Sequence, residues 1–138
     1  MKRYEQVPHT ADMAAKIYGK DLARLFENAA FAMFDMMADL EGLEPERSVG
    51  LEVEAEDRES LLVSWLNEAL YTSYVKGMVF NRIRVKYISD KKLTATLEGA
   101  KAGADRSRIN TEIKAATYHD IKIEETGEGL TVTVVFDV

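Results

Sequence analysis

Apolar and polar residues change their repeat along this chain, and each change marks an element. Met13, Ala15 and Ile17 alternate with Ala14, Lys16 and Tyr18, the two-residue period that predicts a strand. Gly19 and Lys20 end it. Asp21 can then accept hydrogen bonds from the free amides that open a helix. From Leu22 the period lengthens. Leu22, Leu25, Phe26, Ala29, Met33, Met36 and Met37 recur at three- and four-residue spacing, which makes one apolar helical stripe. Its methionines suit irregular gaps in a core. Gly42 and Pro45 break the chain. Val49, Leu51, Val53 and Ala55 next face one way, and Glu52, Glu54 and Glu56 the other, a second strand with a wet acidic side. Asp57 is placed to cap a second helix, with Glu59 in the first turn where negative charge suits the macrodipole. Leu61, Leu62, Trp65, Leu66, Ala69 and Leu70 form its apolar face, and Gly77 supplies the left-handed residue that closes it. Trp65 is expected in the core, where its indole N–H needs an acceptor.

The remainder reads mostly as strand. Ile83, Val85 and Tyr87 alternate, Ser89-Asp90-Lys91 turns the chain, and Leu93, Ala95 and Leu97 return it as a hairpin. Residues Gly99 to Asn110 are small, polar and charged, so a long loop is expected there. A strand is expected from near Ile113, continued by Ile121 and Ile123. Thr126-Gly127-Glu128-Gly129 is a turn, and Leu130, Val132, Val134 and Phe136 alternate along a last strand. No repeat or linker divides residues 1–138. The helices stop halfway and the late strands are joined by short turns, which disfavours a Rossmann fold. The pattern predicts one α+β domain, a mostly antiparallel sheet packed by two α-helices.

Composition narrows the chemistry. A chain of 138 residues with 46% apolar side chains can build its own core. It has no cysteine, so disulfides, thiolate metal sites and cysteine nucleophiles are absent. Its two histidines, His9 and His119, cannot by themselves form a multi-histidine zinc site. The net charge of −6 opposes autonomous binding to phosphate backbones. Arg82, Arg84, Lys86, Lys91 and Lys92 read as a solvated sheet face, so any contact with RNA is expected to be indirect, through a protein partner. The first residues lead into no apolar signal region, and no apolar run approaches the roughly 20 residues of a membrane span. A cytoplasmic protein with no membrane contact is expected.

Walker, G-x-G-x-x-G, H-E-x-x-H and G-x-S-x-G motifs are all missing. Three short segments stand out instead. Pro8-His9-Thr10-Ala11-Asp12 packs imidazole, hydroxyl and carboxylate before a strand; Thr10 and Asp12 read equally as turn residues satisfying backbone amides. Phe136-Asp137-Val138 sets a side-chain carboxylate beside a terminal one. That pair either frays into solvent or gathers a hard cation such as Ca²⁺ or Mg²⁺. Lys114-Ala115-Ala116-Thr117-Tyr118-His119 brings a cation, a hydroxyl, a phenol and an imidazole together. On a strand, Lys114, Ala116 and Tyr118 share one face, with Ala115, Thr117 and His119 on the other.

In chain order, His9-Thr10-Ala11-Asp12, Glu54-Ala55-Glu56-Asp57, Leu61-Leu62 with Trp65-Leu66-Asn67-Glu68, Lys114 to His119, and Phe136-Asp137-Val138 resemble the archease family over essentially the whole chain. The resemblance implies a non-catalytic accessory protein of tRNA splicing. Such a protein speeds guanylylation of a GTP-dependent tRNA-splicing RNA ligase and permits repeated turnover. Carried over by position, it implies a divalent-cation site at Asp12, Asp137 and Val138, with Ca²⁺ favoured and Mg²⁺ or Mn²⁺ as alternatives, and a role in ligase activation for Lys114. His9 and His119 lie in matching motifs, where packing or orienting is as good a reading as function. The resemblance also implies an alternative client, a tRNA cytosine-5 methyltransferase kept soluble and specific. A metal-dependent hydrolase is a third reading, opposed by the missing catalytic motifs.

Overall fold

Both helices begin where the sequence puts their caps. The computed structural model describes residues 2–9, 12–103 and 108–138. Its elements in chain order are β1 (Tyr4–Val7), β2 (Met13–Gly19), α1 (Leu22–Met37), β3 (Arg47–Glu54), α2 (Arg58–Lys76), β4 (Met78–Ile88), β5 (Lys92–Lys101), β6 (Ala115–Ala116), β7 (Glu124–Thr126) and β8 (Gly129–Asp137). The Asp21 carboxylate accepts from the Arg24 amide at the start of α1, and Asp57 accepts from the Ser60 amide at the start of α2. Gly77 ends α2 at φ 64°, a left-handed conformation that glycine adopts without steric cost.

The strands form two antiparallel sheets. One runs β1-β2-β8-β6, with β7 also beside β8; the other runs β3-β5-β4. The helices lie between them. Helix α1 packs on β1, β2 and β8 and also on β4, while α2 packs on β3, β4, β5 and β6. This explains a departure from the single stripe expected on α1. Ala30, Ala32 and Phe34 are buried together with Leu25, Phe26, Ala29 and Met33, because a sheet covers each side of the helix. One apolar core joins both helices to both sheets. Trp65 sits in it fully buried, its indole N–H donating to the Phe26 carbonyl at 2.9 Å, and so ties α2 to α1.

Three expectations need correction. Gly99 does not open a loop, since β5 continues through it to Lys101. A Cβ at Gly99 would overlap the Val79 carbonyl oxygen and the Phe80 Cα, so glycine here permits close approach of β4. The described part of the Gly99–Asn110 segment is also tied down. Arg108 donates to the Asp39 and Glu41 carbonyls, and the Asn110 amide donates to the Met37 carbonyl, which closes the end of α1; residues 104–107 lie outside the described residues. Finally, the strand expected from Ile113 to Ile123 is only the two-residue β6, followed by a turn. Lys114 and Tyr118 flank β6 and do not share a strand face with Ala116. Strand β1 was not expected at all.

The Asp57 cap makes α2 sensitive to acid. Hydrogen bonds from the Ser60 backbone and then its side chain hold the Asp57 carboxyl below its usual range. A lowered folded value means the cap stabilises above the unfolded value, about 3.9, and that contribution is lost as pH falls through the folded one. Acid titration followed at the Ser60 amide should show the first turn of α2 loosening below pH about 4, and Asp57→Asn should remove that dependence.

Candidate functional site at the β2–β8 sheet end

Strand pairing carries the two ends of the chain to one place. The β2–β8 ladder ends at the Met13–Phe136 pair, so Asp12 precedes one member of its last pair and Asp137 follows the other. On the other side of β8, Ala115 pairs with Asp137, and the Lys114 amide donates to the Asp137 carbonyl at 2.8 Å. Asp137 therefore lies between the Asp12 and Lys114 segments. Lys114, Asp137 and Val138 are exposed.

The histidines border the same end. His9 Nδ1 lies 3.7 Å from an Asp12 carboxylate oxygen, within ion-pair reach when the imidazole is protonated and beyond hydrogen-bond length. The His9 and His119 rings meet edge to face, with centroids 5.4 Å apart. His119 Nε2 lies 3.3 Å from an oxygen of Asp120. The turn that presents His119 has Thr117 at its base. The Thr117 hydroxyl donates to the Val135 carbonyl and accepts from the His119 amide, while Asp120 takes a left-handed φ of 49°, a conformation Asp tolerates better than most residues. Thr10 and Ala11 lie outside the described residues.

Sequence reasoning missed two contributors. Asp120 is one; its signal was only its place after His119. Asn67 is the other. Its side-chain N–H donates to the Ala116 carbonyl at 3.1 Å and its oxygen accepts from the Ala116 amide at 2.8 Å. Asn67 thus substitutes for a neighbouring strand and fixes β6 beside Asp137. Asn67→Ala leaves both Ala116 groups without partners, a loss of about 1–3 kcal/mol. The expected result is a lower Tm together with loss of amide protection at Ala116.

Asp12, Asp137 and Val138 would offer oxygen donors only. That set suits a hard divalent cation. It is not a closed cage: among the described residues no three His, Asp or Glu side chains group to hold a metal ion.

The model of the archease protein family matches residues 4–138. The chain belongs to the archease family. A protein archease of Methanosarcina barkeri is 38% identical over 141 residues, covering 99% of this chain and 97% of the relative. The solution structure of Methanobacterium thermoautotrophicum protein 1598 matches with a TM-score of 0.80 at 33% identity, covering all of both chains. The crystal structure of an archease from Thermotoga maritima, described as a possible chaperone, matches with a TM-score of 0.68 at 25% identity, covering 97% of this chain and 96% of that one. The archease fold is thus an α+β arrangement of two helices between antiparallel sheets. No described helix is long and apolar enough to cross a membrane.

Proposed function

We propose that this protein is a cytoplasmic, non-catalytic accessory factor that activates a GTP-dependent tRNA-splicing RNA ligase through an acidic, cation-bearing tip. One observation supports the reading: the β2–β8 ladder ends at Met13–Phe136, next to Asp12 and Asp137, and the Lys114 amide donates to the Asp137 carbonyl. Asp12, Asp137 and Val138 would hold the cation, with Ca²⁺ favoured and Mg²⁺ or Mn²⁺ as alternatives. When bound, the cation supplies positive charge to phosphate oxygens.

The chain's own residues do the rest. Asp12 and Asp137 keep the tip acidic and directed outward, so it can enter a phosphate-binding cleft only with its charge offset. Lys114, anchored through its backbone beside Asp137, adds a second positive charge near the same phosphates. His9 orients Asp12. The β6 segment, held by Asn67, keeps Lys114 in register with Asp137. The effect on the ligase is positioning, which speeds transfer of GMP to the ligase without chemistry by this protein.

Multiple-turnover joining of cleaved tRNA halves by a purified ligase with GTP and divalent cation tests the reading. Added protein should raise both guanylylation and the number of turnovers. The Thermotoga relative is described as a possible chaperone; the alternative client we propose is a tRNA cytosine-5 methyltransferase. If that is the function, the protein suppresses methyltransferase aggregation, does so equally well as Asp137→Ala, and leaves the ligase unchanged.

A further inference from the structure

The free edge of β3 is a docking site for an extended, cationic segment of a partner protein. We infer this from the way the other strand edges are protected. An open edge exposes unpaired amides and carbonyls, and folded proteins usually shorten, kink or cover it. Strand β1 has four residues, β6 two and β7 three. Ala116 on β6 has both backbone groups taken by Asn67. On β4 the pairing with β5 slips twice, and Glu27 of α1 accepts from the Val85 amide at 2.8 Å. Each of these edges carries a blocking device.

Among the described residues strand β3 has no bulge and no side chain capping its outward backbone groups; its edge carries only the charges of Glu52 and Glu54. It pairs with β5 from Arg47↔Gly99 to Glu54↔Lys92 without a register shift. The Ala55 amide donates to the Lys91 carbonyl in the same register. Antiparallel pairing alternates, so the odd-numbered residues face β5, and Ser48, Gly50, Glu52 and Glu54 turn their N–H and C=O groups outward. Those four residues form a regular, unoccupied template for one more strand.

A groove lies alongside. A cavity of about 490 Å³ runs from Glu52 and Glu54 across Val63, Asn67 and Glu68 of α2 to Tyr118. One ammonium, that of Lys92, serves both strand carboxylates, at 3.1 Å from Glu52 and 4.0 Å from Glu54, so together with Glu68 the groove keeps a net negative charge. The Tyr118 ring is 59% exposed at its far wall, a face that attracts cationic side chains. The occupant that fits both backbone and charge is a strand with lysine or arginine at alternate positions. This deepens the proposed function and rests on its partner-protein reading. Tyr118 adjoins His119, so a segment docked on β3 would hold the partner beside the tip.

The test uses the full-length ¹⁵N-labelled protein and a capped eight-residue peptide alternating lysine and threonine, with a glutamate–threonine peptide as control. The lysine peptide should slow amide exchange at Ser48, Gly50, Glu52 and Glu54 at least tenfold. Gly50→Pro removes one outward amide and none of the β5 ladder, and should abolish that protection with β3–β5 amides unchanged. Glu52→Lys with Glu54→Lys keeps the backbone edge and should weaken binding at least tenfold. No protection, protection that survives Gly50→Pro, or equal binding of the glutamate peptide overturns the proposal. So does protection that rises with protein concentration alone, which would mark a second copy as the occupant. No ligase takes part, so this edge can fail while ligase activation stands, and the reverse.

Discussion

Asp137→Ala and Asp12→Ala are each expected to abolish stimulation of the ligase while the fold survives. Asp137 is exposed, and the contacts that order its segment are made by its backbone, to Lys114 and Ala115 on one side and along the β2 ladder on the other. Loss of an exposed side chain of this kind costs within about 0.5 kcal/mol of stability. The cost to cation binding is much larger. With few carboxylates available, removal of one should lower Ca²⁺ affinity by at least about tenfold, or ~1.4 kcal/mol. Calorimetric titration with Ca²⁺ checks the affinity, and circular dichroism checks the fold. Lys114→Ala is expected to separate the two effects: cation binding persists and stimulation falls. A Lys114→Ala variant with full stimulation would remove that residue from the mechanism.

The largest expected effect on stability is at Trp65. The side chain is fully buried and its N–H is satisfied by the Phe26 carbonyl across the α1–α2 contact. Trp65→Ala removes that filling and leaves the carbonyl short of a donor, a loss of about 3–5 kcal/mol. Domains of this kind have about 5–15 kcal/mol in total, so the variant should unfold at much lower urea concentration. Circular dichroism should follow the transition, since the chain's one tryptophan is lost. Trp65→Phe keeps most of the volume and should fall between the two. Equal stability of Trp65→Ala and wild type would show that the helix pair is not held here.

Elements with local boundary signals were legible in the sequence. Asp21, Asp57 and Gly77 each act within one helical turn, and the alternation in β3 follows from one-sided burial, whereas β2 and β8 also bury Ala14 and Val135 on their second face. Features set by distant partners were not legible. Tyr4–Val7 has little alternation of its own and forms β1 because β2 is there to pair with. Ala115–Ala116 is a strand only because β8 lies on one side and Asn67 on the other. Gly99 resembled a loop residue because its reason, the backbone of β4, lies elsewhere in the chain. At the candidate site, Asp12, Lys114 and Asp137 could be named from their motifs. Their adjacency is a property of strand order and register, and so is the part played by Asn67.

The central claim concerns the acidic tip and the ligase together. The most direct measurement is covalent GMP on a purified tRNA-splicing ligase, followed over time with radiolabelled GTP and divalent cation. It should be made with wild-type protein and with Asp12→Ala/Asp137→Ala shown to be folded. The account predicts faster formation of ligase–GMP with wild type and the unassisted rate with the double variant. Equal acceleration by both proteins would contradict it.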